Sequence, residues 1–483
     1  MINASLASKN ILWDLCQSRT TGAGMTDTIL HQLQDMPLLV ENMRSQGYDN
    51  GSNMKGKENG VQRRILDINP RALFVPCSAH SLNLVVNDAG KCCLEATAFF
   101  NLVQHVYVYF SASTRRWEVL KRHVPSMTVK PLSDTRWESH INALKSLRYQ
   151  LGNIVDALIE ISDDISLTGS SGNSSRVEAR SLANNISKFK FIVSLVVWYD
   201  ILFEINITRK KLQGKDYDIH DAVEQLKETK KYLVNCRNDE EFEKILITAQ
   251  ELAEELGISA ELEPEPVHIR RRRKQFTYEA DDELIQNPKQ KFKVNFYFAV
   301  LDVAIQSVEQ RFTQMHVVSS MFGFLYDIHN LQTITSKEVM EHCLKLEKAL
   351  QHGDDKDIDA ADLCSELQFI ARRVEKRASP QDILKFICKK KLADSVPNVF
   401  IALRILLTLP VSVASGERNF SKLKLIKNYL RSTMTQDWIV GLSTLSIEHE
   451  IAEKLDLKHL VSTFAKAKAR KSNFNGTLVT LTS

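Results

Sequence analysis

The sequence predicts a mostly helical α/β protein, and three observations predict it. Its 483 residues hold only 17 Gly and 11 Pro, and so few breakers favour long helices over a many-turned β architecture. The stretch 24–140 alternates helical patterns with short apolar runs, as one α/β layer does. From about 140 to 390, and again from 391 to 470, helical periodicity dominates. The length suits two or three domains.

The elements follow in order. Residues 24–40 (GMTDTILHQLQDMPLLV) place Leu30, Leu33 and Met36 at helical spacing. The segment ENMRSQGYDNGSNMKG is closed by Asn50-Gly51, a strong turn signal. KGKENGVQRRILDI is basic and amphipathic, with Val61, Ile65 and Ile68 on one face. ALFVPCSAH reads as a buried strand and HSLNLVVNDAG as the start of a helix. The sheet is small, since only two strands convince. INALKSLRYQLGNIVDALIEI and DAVEQLKETKKYLVNC are helical. The Ser/Gly-rich SLTGSSGNSSR (166–176) is expected to be a mobile loop, and AELEPEPVHIRRRRKQF (260–276) is a second break. The last section is helical apart from a break at Pro410, and no internal repeat is visible.

Composition excludes several classes. The chain is 43% hydrophobic and 25% charged with a net charge of +4, so nucleic-acid binding must rest on local patches rather than on global charge. Eight scattered cysteines without a Cys-x-x-Cys pair argue against a disulfide framework or a closed zinc finger. They fit a reducing compartment, cytosol or nucleus. MINASLASKNILWDLC has neither the basic leader nor the apolar core of a signal peptide. The most apolar stretch, Phe191 to Ile205, contains Asp200 and Glu204 and is shorter than the roughly 20 residues of a membrane span. It is expected to be a buried helix, with no membrane partner.

Several residues carry chemistry, each beside a plainer alternative. Asp49 in GYDNGSN sits where a carboxylate at a strand end binds a hard metal, or where Asp merely shapes a turn. Cys77 and His80 form Cys-x-x-His without a second half, which suits a helix start as well as a metal. Arg136 and Trp137 in SDTRWESH are an Arg–aromatic pair of the kind that stacks on an unpaired base, or a half-buried anchor. Glu417 follows the possible caps Ser412 and Ser415, a position that the helix dipole favours in any helix. Phe420, Leu423, Ile426 and Leu430, then Trp438, Leu442 and Leu445, form apolar stripes suited to a core or to a helical dimer face. Arg270, Arg271, Arg272, Arg273 and Lys274 make a basic run, either a nuclear localisation signal or phosphate contact, or a loop neutralised by Glu261, Glu263 and Glu265.

Singly these signals are weak, but their order is specific. GYDNGSNMKG, PCSAHSLNL, SDTRWES, a long helical stretch with its basic run and FTYEADDE, and then SVASGERNFSKLKLIKNYLRSTM resemble the hAT transposase superfamily. The subgroup is that of the MYM-type and TTF-type zinc finger transposase-like proteins, and the match is best over 20–150 and 390–455. The resemblance implies an RNase H-like core split by a large all-α insertion. It divides the chain into an unmatched 1–23, core 24–140, insertion 141–390, last core helix with dimerisation region 391–455, and a C-terminal helix and tail 456–483.

The resemblance also implies roles. Asp49 and Glu417 are similar to the second aspartate and the glutamate of a DDE triad that binds Mg²⁺ or Mn²⁺. Two such ions activate the attacking oxygen and stabilise the leaving one. Cys77 and His80 are similar to the family's Cys-x-x-His element, and Arg136 and Trp137, with His80 nearby, to the residues that handle the flipped base. The family's first aspartate precedes the helix at 24–40. Here only Asp14 is available, in surroundings that do not resemble the motif. The expectation is therefore an N-terminally truncated chain with an incomplete triad and no zinc finger: a nuclear protein that dimerises and binds DNA, without catalytic activity as written and without a cofactor. The alternatives are a fragment of an active metal-dependent transposase, with Mg or Mn, and a helical protein-interaction scaffold. The expected partners are a second copy and DNA, with no small-molecule substrate.

Overall fold

The computed structural model describes residues 21–133, 138–214, 217–264, 287–413, 416, 425–426 and 434–468. The chain divides into two compact units, Ser18–Val413 and a second made of Met1–Gln17 with Ala414–Ser483. Each is described by itself.

The first unit opens with α1 (Gly22–Asp35), whose start is fixed by the Thr21 hydroxyl accepting from the Gly24 amide at 3.2 Å. Its Ile29 and Leu33 are buried. Strand β1 (Ser45–Tyr48) runs into a short turn of helix, α2 (Ser52–Lys55). In α3 (Val61–Ile68) Val61 and Ile65 are buried, but Ile68, expected on the same face, lies in the open. Strand β2 (Leu73–Pro76) pairs with β1 in parallel, Ser45 opposite Leu73 and Tyr48 opposite Pro76. Two parallel strands cannot cover their own faces. Helix α13 (Ala299–Phe322), far along the chain, packs on β2 and on α4 (Ser78–Gly90), the helix that leaves β2.

The helices between form the bulk: α5 (Leu94–Ser111), α6 (Thr114–His123), α7 (Glu138–Asp163), α8 (Gly169–Ile186), α9 (Phe189–Leu212), α10 (Ile219–Cys236) and α11 (Asp239–Glu255). At their centre stands α9. It is long and apolar enough to cross a membrane, yet α4, α7, α10 and α11 pack around it. Trp198 is fully buried with its ring 4.8 Å from that of Phe100. Thr208 of α9 is satisfied by Thr229 of α10 through a 2.7 Å hydroxyl hydrogen bond, while the buried Trp198 indole N–H has no partner among the described residues. The expectation of a buried helix is met.

Of SLTGSSGNSSR only 166–168 is a loop. Helix α8 begins at Gly169, whose φ of +78° only glycine adopts easily, and runs through the serines. Its second half carries Ala179, Leu182, Ala183 and Ile186 into α7, so tertiary packing overrides poor local propensity. A short helix α12 (Pro288–Phe292) continues through a π-type turn, Lys293–Phe298, into α13. That turn aims the Tyr297 hydroxyl at the Cys236 carbonyl, 2.6 Å away.

After α14 (Ser336–Ala349) a two-residue hairpin, β3 (Gln351–His352) and β4 (Asp355–Lys356), precedes α15 (Ala360–Ala371), α16 (Pro380–Lys389) and α17 (Pro397–Leu406). Asp357, just past β4, accepts from the Arg44 guanidinium at 2.6 Å and from Arg71 Nη1 at 3.1 Å. The end of the insertion is thereby tied to the starts of both sheet strands. One continuous hydrophobic core runs from Val75 to Val411.

The second unit contains α18 (Gln436–Ile447), α19 (His449–Ala452) and α20 (Leu457–Lys468). Ile439 is buried against Met434 and Ile447.

Candidate functional site

The end of β1 and the start of α4 form one edge. The Cys77 amide donates to the Tyr48 carbonyl at 2.9 Å, and Asn50 Nδ2 donates to Ser81 Oγ at 3.0 Å. Between these two bonds sits Asp49, exposed, beside the turn of α4 that carries the half-buried His80. Asp49 Oδ1 accepts from the Gly51 amide at 3.0 Å, so the residue shapes its own turn. Lys55 Nζ donates to Asn50 Oδ1 at 2.8 Å. Burial, together with Arg311 and Lys57, pushes the Lys55 pKa down. Arg311 is itself paired with Asp88 at 2.5 Å, so the lysines at this edge, Lys55 and Lys57, stand near two carboxylates, Asp49 and Asp88.

The chain returns to this edge after the insertion. The Thr408 carbonyl accepts from Ser45 Oγ at 3.1 Å. The Val411 carbonyl accepts from both the amide and the hydroxyl of Ser78, at 3.1 and 2.6 Å. The Val413 amide donates to Cys77 Sγ at 3.3 Å. Gly47 permits the approach: a Cβ there would lie 2.6 Å from Pro410 Cγ. The Cys77 thiol, buried and facing the returning backbone, secures the insertion's exit, while His80 makes no hydrogen bond among the described residues. The break at Pro410 is this docked segment.

Arg136, Trp137 and Glu417 lie outside the described residues, as do Arg270 to Lys274, Phe420, Leu423, Leu430 and Asp14. The residues that flank Trp137 are firmly held. The Ser133 amide donates to Ser139 Oγ at 2.9 Å, and Glu138 pairs with Arg209 of α9 at 2.8 Å. The segments that carry Asp49 and His80 are joined through the Tyr48–Cys77 and Asn50–Ser81 hydrogen bonds.

An Mg²⁺ ion wants oxygen ligands from more than one carboxylate or from substrate phosphates. Among the described residues no three His, Cys, Asp or Glu side chains gather in a metal-holding group. Asp49 alone does not fit a two-metal centre. A cavity of about 500 Å³ lined by Thr21, Ser52, Asn53, Lys57 and Arg64 includes neither Asp49 nor His80.

In the second unit the apolar stripe is unevenly placed. Trp438 is 68% exposed and Leu445 52%, while Leu442 and Ile426 are half-buried. On α20, Leu457, Leu460, Val461 and Phe464 are all exposed at helical spacing. An apolar face of this extent costs about 25 cal/mol per Å² while it remains in water.

Comparison with known proteins agrees with this placement. Residues 361–451 match the hAT family C-terminal dimerisation region. The match starts inside α15 and so takes in α15 and α16, which the sequence reading placed in the insertion, as well as α17, α18 and α19. Over 461 residues, 90% of its length, the chain is 24% identical to the human protein named "52 kDa repressor of the inhibitor of the protein kinase". The mouse protein of the same name is also 24% identical over 461 residues. The chain spans little more than half of these curated relatives, 56% and 57%. The chain is thus similar to the hAT family over its C-terminal dimerisation region, and to two longer repressors along nearly all of its length.

Proposed function

We propose that this chain is a DNA-binding, self-associating nuclear protein of transposase descent that acts by binding rather than by cutting. The exposed stripe of Trp438 and Leu445 inside the matched dimerisation region carries the self-association. An apolar surface next to polar neighbours marks a protein contact. The names of the relatives describe a repressor, and repression is an activity of binding. Lys55 beside Asn50, with the exposed Lys57, offers cations to a phosphate backbone, and Arg270 to Lys274 suit nuclear import. The test is DNA binding by the purified chain at two salt concentrations. A protein that neutralises several phosphates loses affinity steeply as salt rises. A chain that binds no DNA at low salt is an interaction scaffold instead.

One observation favours a second reading, an active metal-dependent transposase. Asp49 is exposed at the C-terminal edge of β1, and the insertion delivers Val413, four residues before Glu417, to Cys77 on the same edge. Cleavage or joining of hAT-type terminal repeats, dependent on Mg²⁺ or Mn²⁺ and abolished by Asp49→Ala, would establish it.

A further inference from the structure

Helices α7 and α9 lie antiparallel, and along their outer seam three aromatic rings stand together. Tyr199 and Phe203 are stacked, 6.1 Å apart at 21°, and Tyr149 meets Tyr199 edge-on at 6.0 Å. The Arg148 guanidinium lies 4.9 Å over the Tyr199 ring. Tyr149 is 55% and Phe203 50% exposed. Single exposed aromatics are ordinary, but a contiguous set of rings is not.

Cations lie close to the rings, while the exposed carboxylate of Asp156 lies two turns beyond Tyr149 and the half-buried Glu204 follows Phe203. Lys145, one turn before Tyr149, and Lys210, two turns after Phe203, are exposed and have no ion pair among the described residues. Arg148 is half-buried and forms no salt bridge among the described residues; its Nη1 is buried without a hydrogen-bond partner, so it meets a strand through the rest of its guanidinium. Of the nearby carboxylates, Glu138 is neutralised by Arg209 at 2.8 Å. Asp200 is half-buried, and its burial pushes the carboxyl pKa up, with Arg148 acting the other way. The seam ends at the Glu138–Arg209 pair, and Glu138 follows Trp137 in sequence.

We propose that this seam is a binding strip for unpaired nucleotides: the rings stack on bases and the three cations accompany the phosphates. Ring faces in a row fit a single strand rather than a duplex, because paired bases already hide their faces in the stack. The cations fit the polyanion rather than an apolar protein surface. This rests on the DNA-binding reading above and deepens it, by giving the helical insertion a strand to hold.

The test uses the full chain and one 15-nucleotide sequence carrying 2-aminopurine, as a single strand and as a duplex. Binding is followed by anisotropy and by quenching of the 2-aminopurine on stacking. Tyr149→Ala with Phe203→Ala should weaken single-strand binding by roughly tenfold or more, as loss of base–aromatic stacking does. It should remove the quenching and leave duplex affinity within about twofold. Lys145→Gln with Lys210→Gln should instead flatten the salt dependence, the slope falling by about 0.7 for each phosphate that is no longer neutralised. Should the alanine pair melt early, Tyr149→Leu with Phe203→Leu keeps the bulk without the rings and is read in the same way. Wild-type affinity and quenching in the ring variants, in a chain that binds DNA, overturn the strip alone. Failure of the wild type to bind either form overturns the DNA-binding reading with it. A change in oligomeric mass without a change in strand affinity assigns the rings to a protein contact and also overturns the strip.

Discussion

The Val413 amide donates to the Cys77 thiol at 3.3 Å, closing a span of 336 residues. With Ser78 on Val411 and Ser45 on Thr408, this bond makes the helical stretch after β2 a closed excursion that leaves and rejoins one edge of a two-stranded sheet. The stability of that edge should therefore depend on how closely residues 408–413 approach β1.

Gly47→Val tests the approach. A Cβ at this position already meets Pro410 at 2.6 Å, and overpacking of a fitted contact costs about 1–3 kcal/mol. The variant should melt several degrees below the wild type. An unchanged melting temperature would show that 408–413 is not docked on β1 in solution.

Asp357 is the second tie between the insertion and the sheet. Asp357→Asn leaves Arg44 and Arg71, both largely buried, facing a neutral amide. The loss should approach, and not exceed, the roughly 3–5 kcal/mol of breaking a fully buried pair. Urea unfolding measures it. Asp354→Asn on the exposed hairpin tip should be neutral, and equal effects of the two would contradict a specific role for Asp357.

His140 sets a pH dependence. It is buried at the start of α7 with its ring 5.2 Å from Phe100, and burial pushes its pKa down from 6.5 to about 4. Above pH 6.5 the imidazole is neutral in both states and contributes no slope. As pH falls from 6.5 towards 4 the unfolded chain takes up the proton and the folded one does not. Stability therefore declines through that window, by at most about 1.4 kcal/mol per pH unit from this group. In His140→Gln the decline between pH 6.5 and 4 should be smaller. An identical pH profile in wild type and variant would remove His140 from the account.

This polypeptide should not nick or join hAT-type terminal repeats in Mg²⁺ or Mn²⁺. Two-metal transfer needs several carboxylates in fixed geometry, and groups that act as a unit fail together. Gel assay of the purified chain decides it, and product that disappears in both Asp49→Ala and Glu417→Ala would contradict the expectation.

Much of this was legible in the sequence where one signal dominates. The periodicity of α1, the apolar run of β2 and the unbroken hydrophobicity of α9 each reflect burial against a single surrounding. The α8 segment misled because its serines and glycines have poor helix propensity, while four apolar residues in its second half decide the outcome by packing on α7. The hairpin at 351–356 is two residues a side, too short for any alternation to show. The bonding of Tyr48 to Cys77 and of Asn50 to Ser81 lies beyond local sequence patterns, since the two segments are some 28 residues apart. Tyr149 and Tyr199 are fifty positions apart on two helices, so their seam exists only once α7 and α9 are packed.

The central claim is self-association through the dimerisation region, and light scattering on the eluting protein tests it most directly. At micromolar concentration the chain should run at twice its 55.0 kDa mass or more. Trp438→Asp with Leu445→Asp, at exposed positions where a folded monomer tolerates charge, should shift it to 55.0 kDa with an unchanged melting profile. A wild-type monomer, or an oligomer indifferent to both substitutions, would contradict the account.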